Sequence, residues 1–127
     1  MATSVSRKGG MSNDIAARRI FTLAEAQRLL PKVRALTEEG VREVDRLLRD
    51  TQPMSKDDPA RVPVAIDLEN VVAGWAEQMK ALRLEVKGLW LVDFDNGDGY
   101  YCWRYPETSI LHYHGYDDGF TGRMKIV

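Results

Sequence analysis

The sequence contains one pair of histidines with the spacing of metal ligands. His112 and His114 lie two residues apart in SILHYHGY, a segment typical of a β-strand. Residues two apart on a strand project from the same face, so both rings can approach one metal ion, with Asp117 just beyond the strand as a third ligand. This predicts a divalent transition-metal site of His112, His114 and Asp117. The sequence favours the alternative, no cofactor and two histidines hydrogen-bonded inside the fold, because the ligand set lacks a paired cysteine or carboxylate motif.

A second candidate is a calcium loop in LVDFDNGDGYYCW, residues 91–103, where three aspartates stand among glycines. Calcium loops of the helix-loop-helix type need an oxygen ligand at the fifth position and a bidentate glutamate at the twelfth. Counted from Asp93, these positions hold Gly97 and Arg104. Because Asn-Gly and Asp-Gly are also strong turn signals, we predict instead a β-hairpin that turns at residues 96–99.

The predicted hairpin fixes which side chains share a face of the sheet. Its turn pairs Asp95 with Tyr100, and a second turn over residues 106–109 pairs Tyr105 with Ile110. The first of the resulting faces is expected to pack against helices. It carries Trp90, Val92, Phe94, Tyr101, Trp103, Tyr105, Ile110, His112 and His114, whereas the other face carries Leu91, Asp93, Asp95, Tyr100, Cys102, Arg104, Leu111 and Tyr113.

The single cysteine, Cys102, is a candidate nucleophile, because a neighbouring imidazole or guanidinium lowers the pKa of a thiol. In the predicted register, however, Cys102 faces away from both His112 and His114. We therefore predict an unreactive, packed cysteine.

The segment DDGFTGR, residues 117–123, is open to two interpretations. As a structural element it is a tight turn that tucks Phe120 into the core. As a functional element it brings Arg104, His114 and Arg123 together on a carboxylate or phosphate. The sequence favours the turn.

Two long helices are predicted ahead of these strands. Thr22 and Glu25 form a capping box at the start of the first, and Pro31 within it predicts a kink rather than an end. A proline-rich connection precedes the second helix, which is predicted to end at Lys87, before Gly88. Apolar or small residues recur at steps of three and four along the first helix, at Leu23, Ala26, Leu30, Val33, Thr37, Gly40, Val44 and Leu47.

The element order predicts an α+β fold, a long antiparallel helical hairpin followed by a small antiparallel meander of three to four strands. The helices are expected over about residues 22–50 and 59–87, and the sheet over about residues 89–127. A disordered arm is expected over residues 1–14, which leaves residues 15–127 as a single domain.

Composition excludes several classes of function. The 127 residues carry 18 Lys and Arg against 19 Asp and Glu, so no basic field favours nucleic acid. No apolar run approaches the ~20 residues of a membrane span, and the first residues lack the apolar stretch of a secretory signal. One cysteine suits a reducing compartment, and we expect a cytoplasmic protein. Phosphate-loop, dinucleotide-binding and serine-elbow motifs are absent, so no motif supports catalysis.

The chain resembles the bacterial domain of unknown function 2203 family in the order and spacing of three stretches. These stretches are IFTLAEAQRLLPKV, GLWLVDF and CWRYPETSILHYHGYDDGFTGR. The resemblance implies a helical hairpin with a small sheet, and it implies no activity. The chain departs from the family in a shorter helix connection and in Asp95, where the family often has a proline. His112 lies outside the family pattern. The polar positions that carry over are Arg104, Glu107, His114, Asp118 and Arg123.

Two functions compete. In the first, a non-enzymatic cytoplasmic module self-associates or binds a protein partner through its helices. In the second, a small-ligand or metal-binding protein, or an enzyme, has its site at the end of the sheet around His114. A dimer of the first kind would form a four-helix bundle that covers Leu29, Leu36, Val41, Leu48, Val71 and Leu84.

Overall fold

The computed structural model describes residues 18–127 and contains two helices followed by a five-stranded antiparallel sheet, which confirms the α+β prediction. The strands neighbour one another in chain order. The predicted arm over residues 1–14 lies outside the described range. Neither helix within that range combines the length and apolarity needed to cross a membrane. The elements are helices α1 (Leu23–Thr51) and α2 (Arg61–Ala81), strands β1 (Glu85–Gly88), β2 (Leu91–Asp95), β3 (Tyr100–Arg104), β4 (His112–His114) and β5 (Met124–Lys125), and a 3-10 turn (Phe120–Gly122).

Helix α1 follows its sequence signals closely. The Thr22 hydroxyl accepts the Glu25 N–H, and the Glu25 carboxylate accepts the Thr22 N–H, as a capping box requires. The helix runs through Pro31 without ending. Its buried side is made of the residues that the three-and-four spacing singled out, so the predicted contact face is confirmed. These buried residues are Ala26, Leu30, Val33, Thr37, Gly40 and Leu47.

Helix α2 is shorter than predicted, since it ends at Ala81 rather than at residue 87. Arg83 takes a left-handed backbone conformation with φ +66°, and the Leu84 N–H then donates to the Met79 carbonyl. Leu84 is 3% exposed and belongs to the core, so it is not available for the predicted four-helix interface. The chain after it forms β1, and the sheet therefore starts at residue 85 rather than 89 and has five strands.

Two tryptophans, Trp75 and Trp90, join the helices to each other and to the sheet. The Trp75 indole N–H donates to the Thr37 hydroxyl at 2.9 Å and links the two helices. In the β1–β2 turn, Trp90 lies edge-on to Trp75 with ring centroids 4.9 Å apart. A Cβ atom on Gly40 would come within 3.0 Å of the Trp90 ring, so glycine allows the close approach. The sheet is thereby packed against the half of the hairpin nearest to it.

The β2–β3 hairpin is confirmed, and its strands pair as predicted, with Asp95 opposite Tyr100. The Asn96 side-chain oxygen accepts the backbone N–H groups of residues 98 and 99 and closes the turn. The Asp95 carboxylate accepts hydrogen bonds from Arg18 and from the Tyr116 hydroxyl. Asp95, whose carboxylate also accepts the Gly97 N–H, and Asn96 therefore shape the turn, as the hairpin prediction requires.

The predicted β3–β4 register is wrong by one residue. His114 lies opposite Tyr100 and His112 opposite Cys102. The difference arises at Ile110, whose N–H and carbonyl both bond to the side-chain amide of Gln27 on α1 rather than to a strand. Because a shift of one residue reverses every side chain, both histidines lie on the face opposite to the predicted one.

Candidate metal centre

The sheet has one face on the helices and a second face, here called the outer face, turned away from them. Val92, Phe94 and Trp103 belong to the core cluster on the helix side. The outer face carries polar groups that the chain after β4 covers to different extents. They form two clusters. The central cluster consists of Asp93, Cys102 and His114, and the end cluster consists of Arg104, Glu107 and Arg123.

The central cluster takes one residue from each of three neighbouring strands. Asp93 of β2 pairs directly with Cys102 of β3, and His114 comes from β4. One carboxylate oxygen, the thiol sulfur and one imidazole nitrogen lie within 4.8 Å of one another. The side chains of Asp93 and His114 are 1% and 4% exposed, and Cys102 is 0% exposed. Cys102 and the two histidines are therefore on the same face, contrary to prediction.

The hydrogen bonds of His114 leave a lone pair directed at a carboxylate. Its Nδ1 lies 2.8 Å from the Gly115 carbonyl oxygen, which accepts but does not donate, so Nδ1 carries the hydrogen. Nε2 then faces Asp93 Oδ2 at 2.9 Å. Among the described residues, neither oxygen of Asp93 receives a well-formed hydrogen bond. Two acceptors in this position require a proton or a metal ion between them.

The surroundings disfavour free charges in this cluster. Burial raises the pKa of Asp93 above its ordinary value, although the nearby imidazole opposes the shift. Burial, together with the adjacent Asp93 carboxylate, raises the pKa of Cys102 to about 12. A cation in the cluster would offset both effects, since it stabilises carboxylate and thiolate alike.

A cavity of about 260 Å³ adjoins the cluster. Besides the three cluster residues, its walls include Lys87, Leu91, Asp117 and Phe120. This volume is large enough for several water molecules or a small ligand. A metal ion held by the cluster would therefore have a coordination position open to the cavity.

The ligand types suit zinc. Thiolate, imidazole nitrogen and carboxylate oxygen are its usual protein ligands, and three of them with one open position characterise catalytic rather than structural sites. Tetrahedral bonds to zinc separate such ligand atoms by roughly 3.3–3.6 Å. The His114–Asp93 separation is shorter, so the two side chains would move apart by roughly 0.4 Å on metal binding. The hydrogen bond from Nδ1 to a backbone carbonyl also matches the orientation of metal-bound histidines.

The other residues predicted for a metal site lie elsewhere on the outer face. His112 Nδ1 is 3.7 Å from a Glu107 oxygen, in the end cluster. Asp117 lines the cavity, but within residues 18–127 the compact group of ligand atoms comprises Asp93, Cys102 and His114. The structure thus brings His114 together with different ligand types from those predicted.

The end cluster holds three of the family-pattern residues. Arg123 donates to both oxygens of Glu107, at 3.2 and 2.6 Å, and the Arg104 N–H donates to the same carboxylate at 2.8 Å. The Arg104 and Arg123 guanidinium groups both lie by the Phe120 ring. Burial alone would raise the pKa of Glu107, but these hydrogen bonds outweigh it and hold the pKa below its ordinary value. The Arg123 guanidinium and the Arg104 backbone N–H therefore bind a carboxylate of the chain itself.

Asp118, the remaining family-pattern residue, fixes its own turn. Its side chain accepts the Gly115 N–H at 3.2 Å. A Cβ atom on Gly115 would come within 2.8 Å of the Asp118 carboxylate, and one on Gly122 within 3.2 Å of the Asp118 Cβ. The glycines of this segment thus allow Asp118 to fold the chain over the outer face.

Asp93 and Cys102 were missed as site residues, although the sequence contained a signal for them. The predicted β2–β3 register already places these two residues on one face, and the structure pairs them directly. A carboxylate opposite a cysteine on a buried strand pair is an unusual combination for a packed core. The missing information was that His114 shares their face.

Comparison with known proteins finds neither a curated protein nor a solved structure that matches the chain. The model of one protein family, described as uncharacterized conserved protein (DUF2203), matches residues 19–126. This match covers both helices and all five strands, including the central and end clusters. The chain therefore belongs to the DUF2203 family of uncharacterized conserved proteins.

Proposed function

We propose that this protein binds a divalent transition metal, zinc by preference, through Asp93, Cys102 and His114. The fourth position of the metal faces the adjacent cavity, where a water molecule or small ligand coordinates. A free thiol as ligand suits a reducing compartment, so the proposal keeps the expectation of a cytoplasmic protein. The proposed centre replaces the ligand set of His112, His114 and Asp117 while keeping the same class of metal.

One observation carries this proposal: the Nε2 lone pair of His114 faces a buried carboxylate that accepts no well-formed hydrogen bond from the described residues. Leaving a buried charged group without partners is among the costliest arrangements in a protein interior. A shared proton resolves the contact between one nitrogen and one oxygen, whereas the Cys102 thiol has a long contact of 4.0 Å with the Arg123 guanidinium and a weak one with Asp93. A metal ion engages all three side chains.

Metal titration of the chelator-treated protein tests the proposal. We expect one Zn²⁺ or Co²⁺ per chain, with a thiolate-to-cobalt charge-transfer absorption that reports Cys102 directly. Cys102→Ala should abolish this absorption, and Asp93→Asn should weaken metal binding by about 100-fold or more, because each removes a ligand. Added zinc should also raise the midpoint of thermal unfolding of the wild type.

His112→Gln is the matched control, since it removes the other histidine of the same strand, which lies opposite Cys102 but outside the compact group of ligand atoms. It should bind metal like the wild type. Binding lost in His112→Gln but kept in Cys102→Ala and Asp93→Asn would refute the proposed ligand set. Circular dichroism of each metal-free variant separates lost binding from lost folding.

A second proposed function, self-association through the helices, is supported by a different observation. The half of the hairpin farthest from the sheet, here called the distal half, comprises residues 44–51 and 61–70. Leu47 is its single buried residue, whereas Leu48, Val62 and Ile66 are 50%, 63% and 51% exposed. Helices this long draw most of their stability from tertiary packing, and here the sheet supplies packing at the other end alone. A second copy of the chain would cover these side chains in a four-helix arrangement.

Sedimentation velocity over a range of protein concentrations tests this second function. We expect a dimer that dissociates on dilution, and Ile66→Glu should shift the equilibrium to monomer because it places a charge in the apolar contact. Ala35→Glu adds the same charge to an exposed position of α1 near the sheet and should leave the dimer intact. A monomer at every concentration would exclude self-association.

A further inference from the structure

A basic cleft lies on the side of the molecule where α2 ends. Its volume is about 620 Å³, and its walls include Arg18, Arg19, Lys80 and Arg83. These four cations come from two separate parts of the chain, the segment before α1 and the end of α2. The fold, rather than a basic run in the sequence, therefore brings these four side chains together in one cleft.

The acidic groups of the cleft are already engaged. Asp95 accepts hydrogen bonds from Arg18 and from the Tyr116 hydroxyl. Glu85 accepts the Tyr100 hydroxyl at 2.8 Å and lies 3.3 Å from Lys87. The acidic side chains of the cleft therefore do not neutralise its other cations, Arg19, Lys80 and Arg83.

Two of these cations have no carboxylate within 4.0 Å among residues 18–127. The Arg19 guanidinium lies 4.2 Å from the centre of the Phe21 ring, which holds its position without neutralising its charge. Arg83 forms no ion pair in the described part of the chain. Lys80 has a single contact, to Glu77 at 3.5 Å, in which both side chains are largely exposed and interact weakly.

The backbone at Arg83 is unusual for an arginine. Its φ of +66° is the conformation that glycine favours after the last turn of a helix. The N–H groups of Arg83 and Leu84 donate to the carbonyls of Lys80 and Met79, so this turn is fixed by hydrogen bonds. It holds the arginine beside the cleft, next to Leu84, whose buried side chain forms part of the wall.

We propose that the basic cleft binds a small molecule that carries a phosphate group. Arginine side chains offer paired N–H donors that match phosphate oxygens, and Arg19 and Arg83 have theirs available. Leu84 and the Tyr100 ring provide an apolar wall for the rest of the molecule. The volume of about 620 Å³ is sufficient for a metabolite of nucleotide size. This site is separate from the metal centre and does not depend on it.

Calorimetric titration of the full chain tests the proposal. The protein is first freed of metal and then of chelator, so that no anion binds through a metal ion. The probes are inorganic phosphate, ribose 5-phosphate and AMP at constant ionic strength, with chloride as the background anion. We expect saturable binding of all three, and the order of their affinities identifies whether sugar or base adds contacts.

Arg83→Gly is the informative variant, because glycine fits the backbone there and leaves the fold intact. It should weaken phosphate binding by about tenfold or more while the thermal unfolding midpoint is unchanged or higher. Arg28→Gln removes an exposed arginine outside the cleft and should leave binding unchanged. Equal, non-saturable binding in all three proteins would overturn the proposal. So would a lower unfolding midpoint of Arg83→Gly with unchanged phosphate affinity, since Arg83 would then serve only to offset the dipole of α2.

Discussion

Two carboxylates on the outer face of the sheet are held in opposite ways. Glu107 accepts N–H groups from Arg123 and from the Arg104 backbone, and its pKa is lowered. Asp93 is more deeply buried and, within the described range, accepts no well-formed hydrogen bond, and its pKa is raised. Glu107 therefore anchors the chain that covers the outer face, whereas the lone pairs of Asp93 remain available to a proton or a metal ion.

The Glu107–Arg123 pair predicts a specific pH dependence of stability. Glu107→Gln should lower the free energy of unfolding at neutral pH by about 1–2 kcal/mol, because it removes a bidentate, charge-assisted contact. The folded-state pKa of Glu107 lies below its ordinary value of 4.5. The stabilisation is therefore complete above that value and is lost as the pH falls through the lower, folded-state pKa. Urea unfolding of wild type and variant at a series of pH values measures the difference.

Glu39→Gln serves as the control, since Glu39 is exposed on α1. The free energy of unfolding of Glu39→Gln should differ little from that of the wild type at every pH. If the curves of wild type and Glu107→Gln stay parallel from neutral to acidic pH, the ion pair does not contribute as proposed.

The central cluster was predictable up to the register of one strand. A hairpin turn with strong local signals is enough to place Asp93 opposite Cys102, and this pairing is correct. The face of His114 depends instead on how Gln27 binds the backbone of Ile110, a contact between residues 83 positions apart. No local pattern encodes it, so sequence reasoning placed the histidines on the wrong face.

At the scale of elements, the packing of the helical hairpin against the sheet depends on small residues as much as on large ones. Gly40 lies in the middle of α1, where glycine is a poor helix former. Its position under the Trp90 ring explains its presence, because a larger side chain would press on that ring. A Cβ atom on Gly74 of α2 would meet nothing beyond its own helix backbone within 4 Å, so this glycine offers a natural comparison.

Gly40→Ala and Gly74→Ala should therefore have opposite effects. Gly74→Ala should stabilise the protein by about 0.5–1 kcal/mol through helix propensity. In Gly40→Ala the contact with Trp90 should outweigh the same gain, leaving this variant about 1–3 kcal/mol less stable than Gly74→Ala. Chemical unfolding of both variants provides the measurement. Equal stabilisation by the two substitutions would mean that Trp90 moves aside at no cost.

The spacing of apolar residues along the sequence predicted the buried face of α1 well, but it did not predict where α2 ends. Leu82 and Val86 continue the apolar pattern of α2, and Lys87 followed by Gly88 has the composition of a helix stop. The actual stop is Arg83, which adopts a left-handed conformation without being glycine. What decides it is the burial of Leu84 in the core, a tertiary effect that outweighs local propensity.

At the scale of the whole molecule, stability is unevenly distributed along the helical hairpin. The buried residues of α2 are Trp75 and Met79, both in its second half, next to the sheet. The distal half relies on contacts between two helices alone. Such a region opens more easily than the rest of a fold, unless another surface covers it.

Hydrogen exchange should reveal this gradient. In dilute protein, amides of residues 61–70 should exchange faster than those of residues 75–81, because few buried contacts resist their opening. If the distal half self-associates, raising the protein concentration should slow exchange in residues 61–70 selectively. Mass spectrometry at two concentrations makes the comparison, with β2 and β3 as the internal reference. Equal exchange rates along the whole of α2 at both concentrations would argue against an uneven distribution of stability along the hairpin.

The bond between Gln27 and Ile110 also has a consequence for the order of folding. The β2–β3 hairpin is local and forms its register without help, whereas β4 obtains its register from a residue on α1. We therefore expect β4 to join the sheet only after α1 has docked, late in the folding reaction. Until then, the sheet lacks the strand that brings His114 to Asp93 and Cys102. A nascent chain would therefore complete its central cluster only after α1 and the β2–β3 hairpin have come together.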